Sequence, residues 1–161
     1  MNRELSAFLH HNHRDCARSA LIRAEAMAAE RGLRLTPVRR RTLEILLEDH
    51  RALGAYEVLD RLAADGFGRQ PPVVYRALEF LVDHGLAHRI ERLNAFAACT
   101  HPASEHQPAF LICTGCNRIA EAPADAIRRA FDTVGAEAGF AIAATSLEAT
   151  GTCGTCRGGR S

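Results

Sequence analysis

The sequence predicts an α+β fold: an N-terminal winged helix-turn-helix domain followed by a small α/β domain closed by a four-cysteine zinc site. Three observations predict it. Apolar residues recur at helical spacing in four successive segments up to Gly85, a pair of short strand-like runs follows, and the last third of the chain holds Cys113-Thr114-Gly115-Cys116 and Cys153-Gly154-Thr155-Cys156.

Residues 1–14 contain His10, His11 and His13, with Cys16 close behind. They read as part of a flexible arm over residues 1–20, with an accessory metal cluster as the competing reading. From Asp15 to Arg31, Ala20, Leu21, Ala24, Met27 and Ala28 form one apolar helical stripe, which Gly32 stops. Thr36 and Pro37 then supply an N-cap and a first helical residue, and Val38, Thr42, Ile45 and Leu46 line the inner face of the second helix.

Asp49 to Gly54 is a polar loop. A third helix runs from Ala55 to Asp65 through Val58, Leu59 and Leu62, and Gly66-Phe67-Gly68 ends it. Pro71-Pro72 opens a fourth, carrying Val74, Leu78, Leu81 and Val82 until Gly85. Ala87 to Leu93 and Ala95 to Cys99 then read as a strand pair with Asn94 near the turn.

Three short helices followed by a strand pair is the winged-helix order, here with one additional helix in front. The Pro71-Pro72 helix is then the element offered to a DNA major groove. Val73, Tyr75 and Arg76 sit in its first turns, and Arg76 can fork onto guanine O6 and N7. Tyr75 fits packing as well as DNA contact.

Thr100 to Pro108 holds two prolines and two histidines and reads as a hinge between a domain at 21–99 and one at 109–161. Beyond it, Ala109 to Cys113 and Arg118 to Glu121 read as short strands folded back at the first cysteine pair. A helix from Pro123 carries Ile127, Phe131 and Val134 to Gly139, and Phe140 to Ala149 reads as a longer strand leading to the second pair.

Two residues between cysteines let both sulfurs turn toward one ion while backbone amides stabilise their charge. Two such pairs complete a tetrahedron with no open position, which suits structural zinc. Disulfides or redox motifs are the competing readings. Thirty-six residues separate the pairs, so the metal must close a whole folding unit.

With 161 residues the chain can bury a core without disulfides. It shows no secretory h-region and no apolar run of membrane-spanning length, so a cytoplasmic protein with no membrane partner is expected, its six cysteines more plausible as ligands than as bridges. Charge alone does not point to nucleic acid: the net charge is +1, and residues 1–96 carry fifteen Arg against thirteen acids. Any DNA contact must come from local placement.

Leu35-Thr36-Pro37-Val38-Arg39, Ala55-Tyr56-Glu57-Val58-Leu59, Pro72-Val73-Val74-Tyr75-Arg76-Ala77-Leu78, Leu111-Ile112-Cys113-Thr114-Gly115-Cys116 and the final CxxC occur in an order that resembles the ferric uptake regulator superfamily. Within it, the pattern is similar to the zinc uptake regulator branch. The resemblance runs from about Leu21 to Cys156. It implies a homodimeric repressor of zinc-uptake genes that binds a palindromic double-stranded operator and carries two Zn2+ per protomer.

The implied structural ligands are Cys113, Cys116, Cys153 and Cys156. The implied regulatory ligands are His88, Cys99, His106 and Glu121, with His101 the neighbouring alternative to His106. A cysteine in that set favours zinc over ferrous iron. For DNA, the match implies Arg76 on a base, Arg39 on phosphate, and Tyr56 near a thymine methyl or the backbone, with Tyr75 beside them. Iron, manganese, nickel or peroxide sensing within the same superfamily is the alternative. No enzyme is expected: a zinc hydrolase or deaminase using these histidines with Glu121 as base lacks the paired HxE and PCxxC motifs of deaminases.

Overall fold

A computed structural model describes residues 7–9, 12–102 and 107–159. Four helices come first: α1 (His13–Glu30), α2 (Pro37–Leu47), α3 (Ala55–Ala64) and α4 (Pro71–Asp83). The antiparallel pair β1 (Ala87–Ile90) and β2 (Ala95–Ala98) follows them. The second part holds β3 (Ala109–Cys113), β4 (Ile119–Ala122), α5 (Asp125–Glu137), β5 (Glu148–Gly151) and the short α6 (Gly154–Gly158), with sheet order β4-β3-β5. β3 pairs antiparallel with β4 and parallel with β5. No helix among the described residues is long and apolar enough to cross a membrane.

The helices begin and end where their chemistry dictates. Thr36 caps α2 by accepting the Arg39 N–H, and Pro37 removes a first-turn donor that has no intrahelical partner. At the end of α4, Gly85 takes φ +71°, its N–H bonds to the Val82 carbonyl, and Leu86 N–H reaches the Leu81 carbonyl at 2.8 Å. That pair of bonds turns the chain directly from α4 into β1. The core of this domain is apolar and continuous, with Ile45, Leu46, Val58, Leu62, Val74, Leu78 and Leu81 buried at its centre and Ala24 and Met27 of α1 packed onto it.

Three expectations need correction. The arm expected over residues 1–20 is helical from His13. Ala7 is buried, and Thr155 Oγ1 and Arg118 Nη1 of the second part donate to the Phe8 and Ala7 carbonyls. His10 and His11 lie outside the described residues. In the wing, residues 91–93 form a 3-10 turn rather than continuing the strand, and Asn94 adopts the left-handed conformation at φ 46°. The cause lies far away in sequence: the Glu148 carboxylate accepts the Glu91 and Arg92 N–H groups at 2.6 and 2.9 Å. Finally, of the long strand expected over residues 140–149 only Glu148 and Ala149 lie in a strand, the start of β5. β3 is five residues long, and its ladder to this segment starts at Phe110 N–H to Leu147 O, so the residues before Leu147 run past its end.

A Cβ at Gly85 meets nothing within 4 Å, so an alanine there bears only the cost of its left-handed backbone. Gly85→Ala is expected to lower unfolding stability by about 1–2 kcal/mol, read as a shift in the denaturant midpoint at unchanged slope.

Candidate metal centres and nucleic-acid interface

The four cysteines expected as one site converge: the sulfurs of Cys113, Cys116, Cys153 and Cys156 all lie within 4.8 Å of one another. β3 delivers Cys113 at its end, and Cys153 caps α6 by accepting the Cys156 N–H on its sulfur. The parallel register of Cys113 with Gly151 closes the 36-residue gap by setting the second pair beside the first. Gly115 is required by space, since a Cβ there would stand 3.0 Å from the Cys156 sulfur.

The electrostatics are those of thiols forced together. Cys113 is held at about 6, first by the Cys153 backbone N–H at 3.3 Å and then by the amides of Cys116 and Gly115, against the opposing effect of burial. Cys156 is pushed up to about 12 by its hydrogen bond with Cys153, by burial and by the neighbouring Cys113. Burial also raises Cys116. One thiolate is supported by the fold and its neighbours are suppressed, so full ionisation requires a cation among the sulfurs. The donor set therefore fits a thiophilic dication such as zinc.

A second group spans the two parts of the molecule. His88 is on β1, Cys99 follows β2, and Glu121 is on β4, yet their donor atoms also lie within 4.8 Å of one another. Glu121 is only 6% exposed. Its Oε1 accepts the Thr100 N–H at 2.8 Å and stands 3.6 Å from His88 Nε2. Nitrogen, sulfur and carboxylate donors in one buried spot suit a borderline dication. His106 lies outside the described residues. His101 lines the adjoining cleft of ≈ 790 Å³ together with His88 and Glu121, and its Nδ1 pairs with Thr100 Oγ1 at 2.9 Å; it does not join the three-donor group.

A third group, His13, Cys16 and His50, meets the same distance criterion. Sequence spacing drew attention to His13 and Cys16 but passed over His50, which stands in the loop after α2, and no local pattern links residues so far apart.

On the prospective DNA side, Tyr56 at the start of α3 is 64% exposed and Tyr75 on α4 is 43% exposed, with Arg76 exposed beside it. The Arg76 Nε bonds back to the Pro72 carbonyl at 3.2 Å, which aims the side chain toward the start of the helix. Arg39 is more constrained than an exposed phosphate contact implies. Its guanidinium lies 3.7 Å from the Phe80 ring centroid and donates to the Arg34 carbonyl at 2.9 Å.

Comparison with known proteins gives this arrangement a family. Residues 30–150 match the model of the ferric uptake regulator family. The chain belongs to that family. It is 35% identical over 137 residues to the zinc uptake regulation protein of Escherichia coli strain K12, covering 84% of this chain and 80% of the relative. That sets it in the zinc uptake regulator branch, a group of transcription regulators rather than enzymes.

A solved zinc uptake regulator complexed with zinc and DNA superposes with a TM-score of 0.82 at 34% identity, covering 88% of this chain and 95% of that one. Holo XcZur superposes at 0.78 with 36% identity over 87% of this chain and 98% of that one. Apo XcZur, 38% identical over 89% and 99%, reaches only 0.53. Identity and coverage are nearly the same in the two XcZur comparisons, so the lower score is a difference in structure and not in sequence.

The thiol electrostatics set the proton balance of metal loading. A dication entering the four-cysteine cluster at pH 7 displaces protons from Cys116 and Cys156 and few from Cys113, which is already largely ionised. Metal affinity should thus strengthen as pH rises and weaken as it falls, with Cys113 adding to the loss only below about 6. Calorimetry in buffers of different ionisation enthalpy is expected to count at least two protons released per ion bound at this cluster.

Proposed function

We propose that this chain is a zinc-responsive transcriptional repressor that binds palindromic operator DNA as a homodimer when its regulatory site holds zinc, and that it controls zinc-uptake genes from the cytoplasm. The observation that carries the reading is the convergence of His88, Cys99 and Glu121 from both parts of the molecule, and the higher TM-score against holo than against apo XcZur supports it.

Two ions per protomer are proposed. Cys113, Cys116, Cys153 and Cys156 would hold the structural one, and His88, Cys99, Glu121 and His106 the regulatory one. The regulatory ion supplies a dication whose ligands come from the wing, the hinge and the second domain together. Glu121 needs no rearrangement for this role, because the Thr100 N–H already fixes its carboxylate next to His88.

The protein's own contribution is a pair of domains that can meet. Ile90 at the end of β1 packs with Phe110, Ile112 and Ile119 of the second domain. Moving a population of two arrangements from 1:99 to 99:1 takes a ~10⁴-fold preference, or about 5.5 kcal/mol, within reach of several metal-ligand bonds. Closing the domains fixes where α4 points. In a two-fold dimer that sets the spacing of two recognition helices on successive major grooves.

The proposed dimer surface is the outer face of α5 and the segment after it, where Ile127, Phe131, Val134 and Phe140 are 45%, 46%, 61% and 68% exposed. Gly135 is the one buried residue of that helix, so most of the apolar side has no cover within the protomer. On DNA, Arg76 is assigned to a guanine edge, Tyr56 to a thymine methyl or the backbone, and Tyr75 to the same surface. Arg39 is assigned to phosphate through the guanidinium donors that Arg34 does not use.

Two outcomes are expected. Cys99→Ser and His88→Ala should each retain the four-cysteine metal and dimerise while losing zinc-dependent operator affinity in a zinc titration; normal zinc dependence in both would move the switch elsewhere. Arg76→Ala should lose about 1–3 kcal/mol of discrimination at one base pair, measured by comparing operator variants at fixed salt, whereas Arg39→Ala should weaken all sequences alike and flatten the salt dependence.

A further inference from the structure

We infer that His13, Cys16 and His50 form a third metal site, selective for a borderline dication such as Zn2+, that fastens α1 to the loop between α2 and α3. The inference stands on geometry and tautomer and does not depend on the regulatory reading.

His13 Nε2 lies 2.9 Å from the Leu47 carbonyl. A carbonyl only accepts, so Nε2 carries the proton and neutral His13 presents the lone pair of Nδ1. That lone pair faces His50 Nε2 at 3.2 Å. A histidine whose second nitrogen donates to a backbone carbonyl is the usual way a ligating imidazole is oriented. Two nitrogens bound to one tetrahedral zinc at ~2.0–2.1 Å stand ~3.3 Å apart, close to the spacing observed. The rings meet edge to face at 61° with centroids 4.5 Å apart, which leaves both facing nitrogens at the contact.

Cys16 completes the set one helical turn beyond His13, its sulfur within 4.8 Å of both nitrogens. All three residues are half-buried and line a cleft of ≈ 550 Å³, which leaves water access to a fourth position. The proton balance is simple. Cys16 gives up its thiol proton to solvent as the sulfur binds, His13 keeps its proton on Nε2, and His50 carries its proton on Nδ1 when Nε2 binds. Two imidazoles and a thiolate select zinc over magnesium or calcium, which take oxygen donors.

The location gives the site a consequence. The His50 carbonyl accepts the Ile119 N–H at 2.7 Å, and Arg51 bridges to Arg118, so this loop is part of the contact with β4. An ion on His50 holds α1 against the same loop.

The test compares the full chain with Cys16→Ser and His50→Ala after loading with Zn2+ and passage over a weak chelating resin, counting zinc per protomer by elemental mass spectrometry. Each variant is expected to hold one ion fewer than the unmodified chain. Cys16→Ser is nearly isosteric and guards against loss through misfolding, with circular dichroism confirming unchanged helix content. Co2+ substitution gives a second readout: Cys16→Ser should lose part of the sulfur-to-metal charge-transfer intensity. Equal zinc content and unchanged Co2+ spectra in both variants would overturn the site. Failure of the regulatory reading would look different, as His88→Ala and Cys99→Ser would keep their zinc-dependent DNA affinity while the count at His13, Cys16 and His50 stayed as expected.

Discussion

The arrangement of the two domains depends on a buried carboxylate. Glu121 is 6% exposed on β4, where a charge without partners is costly. Its partners include the Thr100 N–H at 2.8 Å and, on the wing, His88 Nε2 at 3.6 Å. These contacts are made between β4 and the first part of the molecule. Around it, the Glu148 carboxylate collects two wing N–H groups and Ile90 inserts among Phe110, Ile112 and Ile119. The interface is thus a small apolar contact flanked by two carboxylates, and its electrostatic part can be biased by a cation.

The second domain has little else to stabilise it as a monomer. Its apolar cluster contains three of its own buried residues, Phe110, Ile112 and Ile119, and the fourth, Ile90, belongs to the wing. The residues of β5 are half-buried or exposed, and α5 buries only Gly135. A unit of this size with so little core requires a further constraint. The four sulfurs gather the end of β3 and the segment after β5 into one spot, while Ile127, Phe131 and Val134 of α5 stay exposed.

The helices of the first domain were legible because their determinants are local. A capping threonine, prolines at first helical positions, apolar spacing and glycines such as Gly85 all act within a few residues. β3 was legible for the same reason. The exceptions trace to partners remote in sequence. The wing strand stops at Ile90 because Glu148 takes the next two N–H groups, and the expected strand over 140–149 is cut by the short length of β3. Arg39 was expected on phosphate from the family pattern, and its contact with Phe80, on another helix, is invisible in its own segment. The four cysteines were legible by motif, and His88, Cys99 and Glu121 by family pattern. His50 had neither advantage.

The additional first helix then has a physical role beyond extending the core. Arg23 of α1 donates to the Thr100 carbonyl at 3.1 Å, and the N–H of the same residue is held by Glu121. One hinge residue thus connects α1 to β4. At the start of α1, His13 reaches the Leu47 carbonyl and His50, whose own carbonyl accepts the N–H of Ile119, the first residue of β4. Helix α1 therefore spans two separate attachments to one strand. A displacement of β4 that releases Glu121 from Thr100 also strains the His50 to Ile119 bond, so both attachments favour the same closed arrangement. By linkage, whatever strengthens one attachment in that arrangement must strengthen the other, so α1 contributes to holding the two parts together as well as to the core.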